Sequence, residues 1–369
     1  MILFLGAGAS KPFEIPVTRD FAIQAIDALI LDTEYKDCVE FITDIKNSFD
    51  TNFDLEIFLT LLDDLSKDDV LEVISPITTR FILKKDKPEK YINDTKIQDI
   101  SRKLFIGVKD FMRMTIAKKI AEKKKHIINI YNNLFTALVP ICGGGSVHLR
   151  DGGSPLPSMS AIVTTNYDIC IETYLNERTL PFEDNIQRMS GQNYFNLVKV
   201  DNPTYRPHLL KLHGSLNLFR LPKGNIVQLQ FPYQKYKEIK EASCTYGIDI
   251  AEEVILYPTE AGANRRIIET PFTDLYYRFR KTFESDPKIA IIGFSMRDRT
   301  ICSILEYTLT NSNLSQPKIF LIDPEANRIK NFLSTKGFKV LSNSTKAITS
   351  GIEDPQLKNI LRSCGENLT

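Results

Sequence analysis

This 369-residue chain has almost no net charge. Lys and Arg number 47 against 46 Asp and Glu, a net charge of +1, so no global field gathers nucleic acid or anionic lipid, and any such binding is local. Paired cysteines are missing too. Cys38, Cys142, Cys170, Cys244, Cys302 and Cys364 include no C-x-x-C pair, which argues against a structural zinc site. Their scatter is unlike a disulfide framework and reads as reduced thiols in a cytoplasmic protein, most of them small core residues. The apolar opening Met1–Leu5 has no basic leader and meets Gly6 too soon for a signal peptide or a membrane span. No membrane is expected, and the first strand should carry the N-terminus into the fold. No internal repeat or low-complexity tract interrupts the chain.

What is present is enough apolar sequence, 43% beside 25% charged residues, to bury a large core with room for two domains. The rest is organised around Leu3-Phe4-Leu5-Gly6-Ala7-Gly8-Ala9-Ser10. An apolar run of buried-strand type enters two glycines and a serine, then residues that can start a helix. Glycine permits a tight turn and lets backbone N–H groups approach an anion, while a following helix points its positive end at the same place. The stretch therefore reads as phosphate-binding, or as a tight strand-to-helix turn with no ligand. Lys11 stands where the third glycine of the usual dinucleotide fingerprint would fall.

Apolar spacing predicts a helix over 18–31 and a second from about 52 to 65, capped by Asn52 or Asp54. Residues 69–83 and 95–138 continue in helical register. The basic run Lys118, Lys119, Lys123, Lys124 and Lys125 reads as a solvated helix face, or as a contact with nucleic acid or a partner. Glycine-rich loops at 143–146 and 151–155 mark a boundary, and no Walker lysine follows them, which excludes a P-loop there. Beyond them short apolar runs alternate with helices. Strands are expected at 160–165, 209–213, 254–257, 288–293, 318–322 and 338–341, with a hairpin over 216–231 turning at Pro222–Asn225. Helices are expected at 168–178, 265–284, 298–310, 325–335 and near 355–363. This alternation predicts an α/β fold with a doubly wound, mainly parallel, Rossmann-like sheet that the N-terminal strand joins across a helical insertion. The expected domains are 1–33 with 155–369 for the α/β unit, and 34–154 for a mostly helical insertion ending in a Gly-rich loop.

In such a sheet ligands bind beyond the carboxyl ends of the strands. The residues expected there are Gly6 to Ser10, Thr164-Thr165-Asn166-Tyr167-Asp168, His213-Gly214-Ser215, Gly293-Phe294-Ser295 and Asp323-Pro324. Glycine, hydroxyl, amide, imidazole and carboxylate converging from five strand ends make a site.

As a set these motifs resemble the sirtuin superfamily. Its Gly-Ala-Gly-x-Ser loop matches Gly6, Ala7, Gly8, Ala9 and Ser10, and its next segment aligns with Glu14-Ile15-Pro16-Val17-Thr18-Arg19. Its Thr-Gln-Asn-x-Asp motif matches Thr164 to Asp168, its His-Gly matches His213-Gly214, its Gly-x-Ser matches Gly293 to Ser295, and its ribose-binding Asn falls at Asp323. Two departures matter. The four-cysteine zinc module of the deacylases has no counterpart, since residues 214–292 hold only Cys244, and the Asp and Phe of the nicotinamide-exchange loop are Val17 and Thr18. The chain is therefore most similar to the zinc-free bacterial branch of sirtuin-like NAD hydrolases, several of which deplete NAD in anti-phage defence.

The resemblance implies NAD as substrate, no zinc, Asn166 and His213 as catalytic residues, and Gly6, Ala7, Gly8, Ala9, Ser10, Arg19, Thr165, Asp168, Gly293, Ser295 and Asp323 as nucleotide-binding residues. His213 would be the base, and Asn166, which can donate and accept, would anchor the nicotinamide-side ribose and orient water. Asp168 would hold Asn166 or a ribose hydroxyl, or cap the following helix, and Asp298 would cap the helix after it. The branch also implies control by homo-oligomerisation or by a partner in trans, such as a ring-forming DNA-translocating ATPase or a short Argonaute. Deacylation or ADP-ribosyl transfer to a protein, and non-catalytic binding of NAD or ADP-ribose, are the competing functions.

Overall fold

The computed structural model describes residues 1–49, 53–67, 75–85, 88–89, 91, 94–142, 146–147, 156–157, 159–180, 182–184, 186–189, 192–195, 207–222, 224–229, 236–245, 252–256, 270–286, 288–311 and 318–366. Among these the strands are β1 (Ile2–Leu5), β2 (Ser146–Val147), β3 (Leu156–Pro157), β4 (Ala161–Thr164), β5 (Ile186–Met189), β6 (Gln192–Phe195), β7 (His208–Lys211), β8 (Gly214–Arg220), β9 (Ile226–Gln228), β10 (Glu252–Ile255), β11 (Lys288–Ile292), β12 (Lys318–Ile322) and β13 (Thr345–Ile348). The helices are α1 (Thr18–Leu31), α2 (Val39–Ser48), α3 (Leu55–Leu65), α4 (Pro76–Leu83), α5 (Thr95–Leu138), α6 (Cys170–Glu177), α7 (Tyr236–Thr245), α8 (Phe272–Ser285), α9 (Arg299–Asn311), α10 (Ala326–Thr335), α11 (Lys339–Ser344) and α12 (Leu357–Glu366).

A six-stranded sheet in the order β13-β12-β11-β1-β4-β7 is parallel throughout, and β1 lies inside it, paired with β11 on one side and β4 on the other. Its strands are apolar on both faces because helices cover both. Leu3 and Leu5 pack with α1, α3, α5, α6 and α12, while Ile2 and Phe4 pack with α8, α9 and α10. The helices between 39 and 138 thus share one core with a face of the sheet. The architecture is the mixed α/β, Rossmann-like one expected, with β1 reached across those helices.

Several local expectations hold. The 18–31 helix has the bounds its apolar spacing gives, and Asp54 Oδ1 accepts from Ile57 N at 3.0 Å to cap α3. The 95–138 run is one helix of 44 residues. The hairpin over 216–231 is present as β8 and β9. It belongs to a second sheet, antiparallel, in the order β10-β8-β9-β6-β5, which includes the expected 254–257 strand as β10. That separate sheet went unforeseen because its strands are three to seven residues long and scattered between loops.

Two expectations are corrected. The 338–341 strand is helix α11, and the edge strand comes later, as β13. The reason lies far along the chain: the Glu306 carboxylate accepts from Val340 N at 3.1 Å and from Leu341 N at 2.6 Å, satisfying amides at the start of α11. The glycine turn also leads first into a 3-10 stretch, Ala7–Phe13, with Pro12 inside it, before α1 begins. Asn52, residues 69–74 and 265–269, and the glycine-rich stretches at 143–145 and 151–155 lie outside the described residues.

The basic run of α5 is largely paired. Lys119 and Lys123 both bind Glu14, the former at 2.8 Å, and Lys124 binds Glu177 at 2.6 Å. Glu14 has φ 58° and closes the 3-10 stretch, so these pairs tie the exit of the glycine turn to the long helix. Hydrogen bonds from Lys119 and Lys123 hold the Glu14 carboxyl down at about 2, against an ordinary 4.5. A depressed acid contributes its stability above 4.5 and loses it as the pH falls towards 2. Carboxyl NMR should show Glu14 titrating near 2 in the wild type and returning towards 4.5 in Lys119→Met/Lys123→Met.

No helix among the described residues is long and apolar enough to cross a membrane.

Candidate functional site

The carboxyl ends of β1, β4, β7, β11 and β12 carry the residues singled out above. At the first, the turn is built by close approach of two backbones. Gly6 N donates to Ile292 O at 2.9 Å, Gly8 N to Gly293 O at 2.8 Å, and Ala9 N to Gly6 O at 2.9 Å. A Cβ on Gly8 would stand 2.7 Å from Gly293 Cα, which is why this pair of strand ends tolerates only glycine. Three amides of the loop expected to meet phosphate are therefore committed to backbone carbonyls.

The end of β4 closes over that turn. Asn166 Nδ2 lies 3.0 Å from both Gly6 O and Ser10 Oγ, and Ser10 Oγ donates to Asp168 Oδ2 at 2.7 Å. Gly6 O can only accept, so the amide nitrogen must face it, and both amide protons are used. What remains is Asn166 Oδ1, a buried acceptor with no partner among the described residues. Below it Thr164 Oγ1 donates to Leu5 O at 3.1 Å and accepts from Asn166 N at 3.0 Å, while Thr165 N reaches Leu5 O at 3.2 Å. Of the roles expected for Asp168, capping is seen, whereas Asn166 is reached only through Ser10. Oδ2 holds Ser10, and Oδ1 accepts from Cys170 N at 2.9 Å at the start of α6.

His213, 3% exposed, follows β7 and turns Nε2 to Asp298 Oδ2 at 3.0 Å. Asp298 Oδ1 accepts from Thr300 N at 2.8 Å and Ile301 N at 3.1 Å, so this residue caps α9 as expected and also holds the imidazole. Tyr167 joins the two halves: its ring centroid is 6.4 Å from that of His213, its hydroxyl donates to Leu256 O at 3.0 Å, and its carbonyl accepts from Leu216 N at 3.2 Å. The backbone of His213 is fixed in turn by Leu256 N, 2.9 Å from its carbonyl.

Gly6, Gly8, Ser10, Asn166, Asp168 and Gly293 thus meet directly, and His213 stands beside them across Tyr167. The others are less engaged. Ala7 and Ser295 are exposed, Ala9 is buried, and Arg19 is exposed on the first turn of α1. Asp323 is half-buried at the end of β12, where its Oδ1 accepts from Glu325 N at 2.8 Å. Burial pushes its carboxyl up, against the pull of that hydrogen bond and of the Arg328 and Lys11 charges.

Reading the sequence missed Tyr167, the Asp298 contact to His213, and a buried ion pair, Lys211 Nζ to Glu172 Oε1 at 2.7 Å. A lysine inside the run Leu209 to His213 was the available signal. It also missed Glu56, half-buried in the first turn of α3, whose carboxyl is pushed up by burial and by the charges of Asp54 and Asp298. Among the described residues no cluster of His, Cys, Asp and Glu could hold a metal ion.

No curated protein matches the chain. Residues 160–341 match the family model of the SIR2-like domain, a stretch that takes in Asn166, His213 and Asp323 and leaves Gly6 to Ser10 outside. The match supports a sirtuin-like superfamily for this chain and, since SIR2-like proteins are NAD-dependent enzymes, an activity that uses NAD.

Proposed function

We propose that the chain is an NAD glycohydrolase that cleaves the bond between nicotinamide and ribose to give nicotinamide and ADP-ribose. The observation that carries this reading is Asn166 Oδ1, a buried acceptor without a partner among the described residues, next in the chain to Tyr167, whose ring centroid lies 6.4 Å from that of His213. With both N–H groups committed, Asn166 can only accept, which suits a ribose hydroxyl or the attacking water. Of the roles weighed from sequence, its donor role is spent inside the protein.

In the reaction the C1′–N bond breaks, its electron pair neutralises the pyridinium, and water bonds to C1′ and gives up a proton. Nicotinamide leaves readily, so orientation and a base supply most of the catalysis. With Nε2–H given to Asp298, the basic lone pair of His213 is at Nδ1, and Asp298 fixes that tautomer. Ser10 contributes indirectly, by orienting Asn166. Ala7 and Ser295 are assigned to the phosphates, Gly6, Gly8, Ala9 and Gly293 to the tight turn that lets the diphosphate come close, Asp323 to the adenine-side ribose, Thr165 to the nucleotide, Asp168 to the support of Asn166 through Ser10, and Arg19 to a phosphate or the active-site loop. Asn166 is 9% exposed and His213 3%, so a dinucleotide reaches them only when residues around them shift. This fits an enzyme switched on by self-association or by a partner in trans, such as a DNA-translocating ATPase ring or a short Argonaute, and a cytoplasmic role in anti-phage defence through loss of NAD.

The test is chromatography of NAD incubated with the purified chain, alone and under conditions that drive its assembly. Nicotinamide and free ADP-ribose should appear in equal amounts. Label on a protein acceptor would indicate ADP-ribosyl transfer instead, acyl-ADP-ribose formed only with an acylated protein present would indicate deacylation, and tight binding without turnover would indicate a signalling module. His213→Ala should lower kcat by about 10²–10⁴, the usual worth of a general base. Asp298→Asn, which can present an N–H to Nε2 and shift the proton to Nδ1, should approach the same loss with KM little changed.

A further inference from the structure

Lys211 is 8% exposed, on a strand whose neighbours Leu209, Leu210 and Leu212 are all core residues. Taking an ammonium out of water is costly, and Glu172, 7% exposed on α6, offsets it from 2.7 Å. Burial pushes the Glu172 carboxyl up against the pull of Lys211. Stability alone does not account for such a pair, because apolar residues of similar volume commonly hold a fold as well or better.

The same Nζ has a second bond, to Asp168 O at 2.5 Å. That carbonyl belongs to the turn whose side chain accepts from Ser10 Oγ, and Ser10 Oγ in turn accepts from Asn166 Nδ2. A continuous buried chain therefore runs from Glu172 through Lys211, Asp168 and Ser10 to the amide whose Oδ1 is left open. We propose that Lys211, anchored by Glu172, is a positioning residue that fixes the Asp168 turn and so aims Asn166 Oδ1 at its ligand. The proposal rests on the NAD-hydrolase reading for its kinetic arm only.

The informative variant is Lys211→Met/Glu172→Leu, which removes both charges without leaving one buried alone. It should keep the wild-type urea midpoint, since packing is retained. Its kcat on NAD should fall about 10- to 100-fold with KM little changed, the scale of a misaimed group. ADP-ribose affinity by calorimetry should fall up to about tenfold, the scale of one hydrogen bond. A folded double variant with wild-type kcat and wild-type ADP-ribose affinity overturns the proposal. Should it not fold, Lys211→Gln/Glu172→Gln takes its place, a neutral polar pair that leaves no charge buried alone and whose shorter amide at 211 cannot span to the Asp168 carbonyl. The same losses are expected, and wild-type values overturn the proposal. A wild-type chain that binds ADP-ribose without cleaving NAD refutes the enzymatic reading and leaves the calorimetric arm to decide this one.

Discussion

Asn166→Ala should reduce NAD cleavage at least about 10²-fold in a protein that still folds, because it removes the open acceptor without removing packed apolar surface. The companion substitution is more telling. Asn166→Asp keeps an oxygen where Oδ1 stands but sets a second one against Gly6 O, now 3.0 Å from Nδ2. Two acceptors at that distance repel, and the carboxylate must rotate or take up a proton. The aspartate variant should therefore be no better than the alanine one, although it retains an acceptor. If it turned over NAD at the wild-type rate, the donor bonds to Gly6 and Ser10 would not be what aims the amide. The assay is release of nicotinamide, with circular dichroism confirming the fold.

The second large effect lies one residue beyond the imidazole. Gly214 has φ +77°, and a Cβ built on it would stand 1.9 Å from Val254 O, where β8 meets β10. The left-handed backbone costs a non-glycine residue about 1–3 kcal/mol, and forced overpacking about 1–3 kcal/mol more. Gly214→Ala should thus lose about 2–6 kcal/mol of stability and, because Leu256 N holds His213 O at 2.9 Å through the same contact, activity along with it. Urea denaturation gives the stability. A variant with an unchanged midpoint would mean that β10 yields at no cost and that the glycine after His213 serves something other than this approach.

Much of the fold was legible because burial leaves a period. The runs Leu3 to Leu5, Ala161 to Thr164 and Lys288 to Ile292 are apolar on both sides, which in a chain with intervening helices means a parallel sheet. The strand ends were legible for a related reason: polar residues that abruptly follow such runs have few places to go except the crevice at the carboxyl edge. What stayed hidden depends on partners far along the chain. Glu306 caps α11 from 34 residues away and so displaces the last strand, and no local window shows that. Lys211 finds Glu172 across 39 residues, and Asp298 reaches His213 across 85. By sequence Gly8 is a place where an anion approaches the backbone, whereas in the structure it is first of all a backbone that must pass Gly293. A residue's type announces that it is polar or small, but the direction in which it spends its bonds is set by the neighbour that tertiary structure supplies.

The most direct test of the account is a crystal structure of the His213→Ala chain with NAD bound. It should show a hydroxyl of the nicotinamide-side ribose within about 3.2 Å of Asn166 Oδ1, with C1′ turned to the place the imidazole vacated. A dinucleotide seated elsewhere, with Asn166 Oδ1 still without a partner, would contradict it.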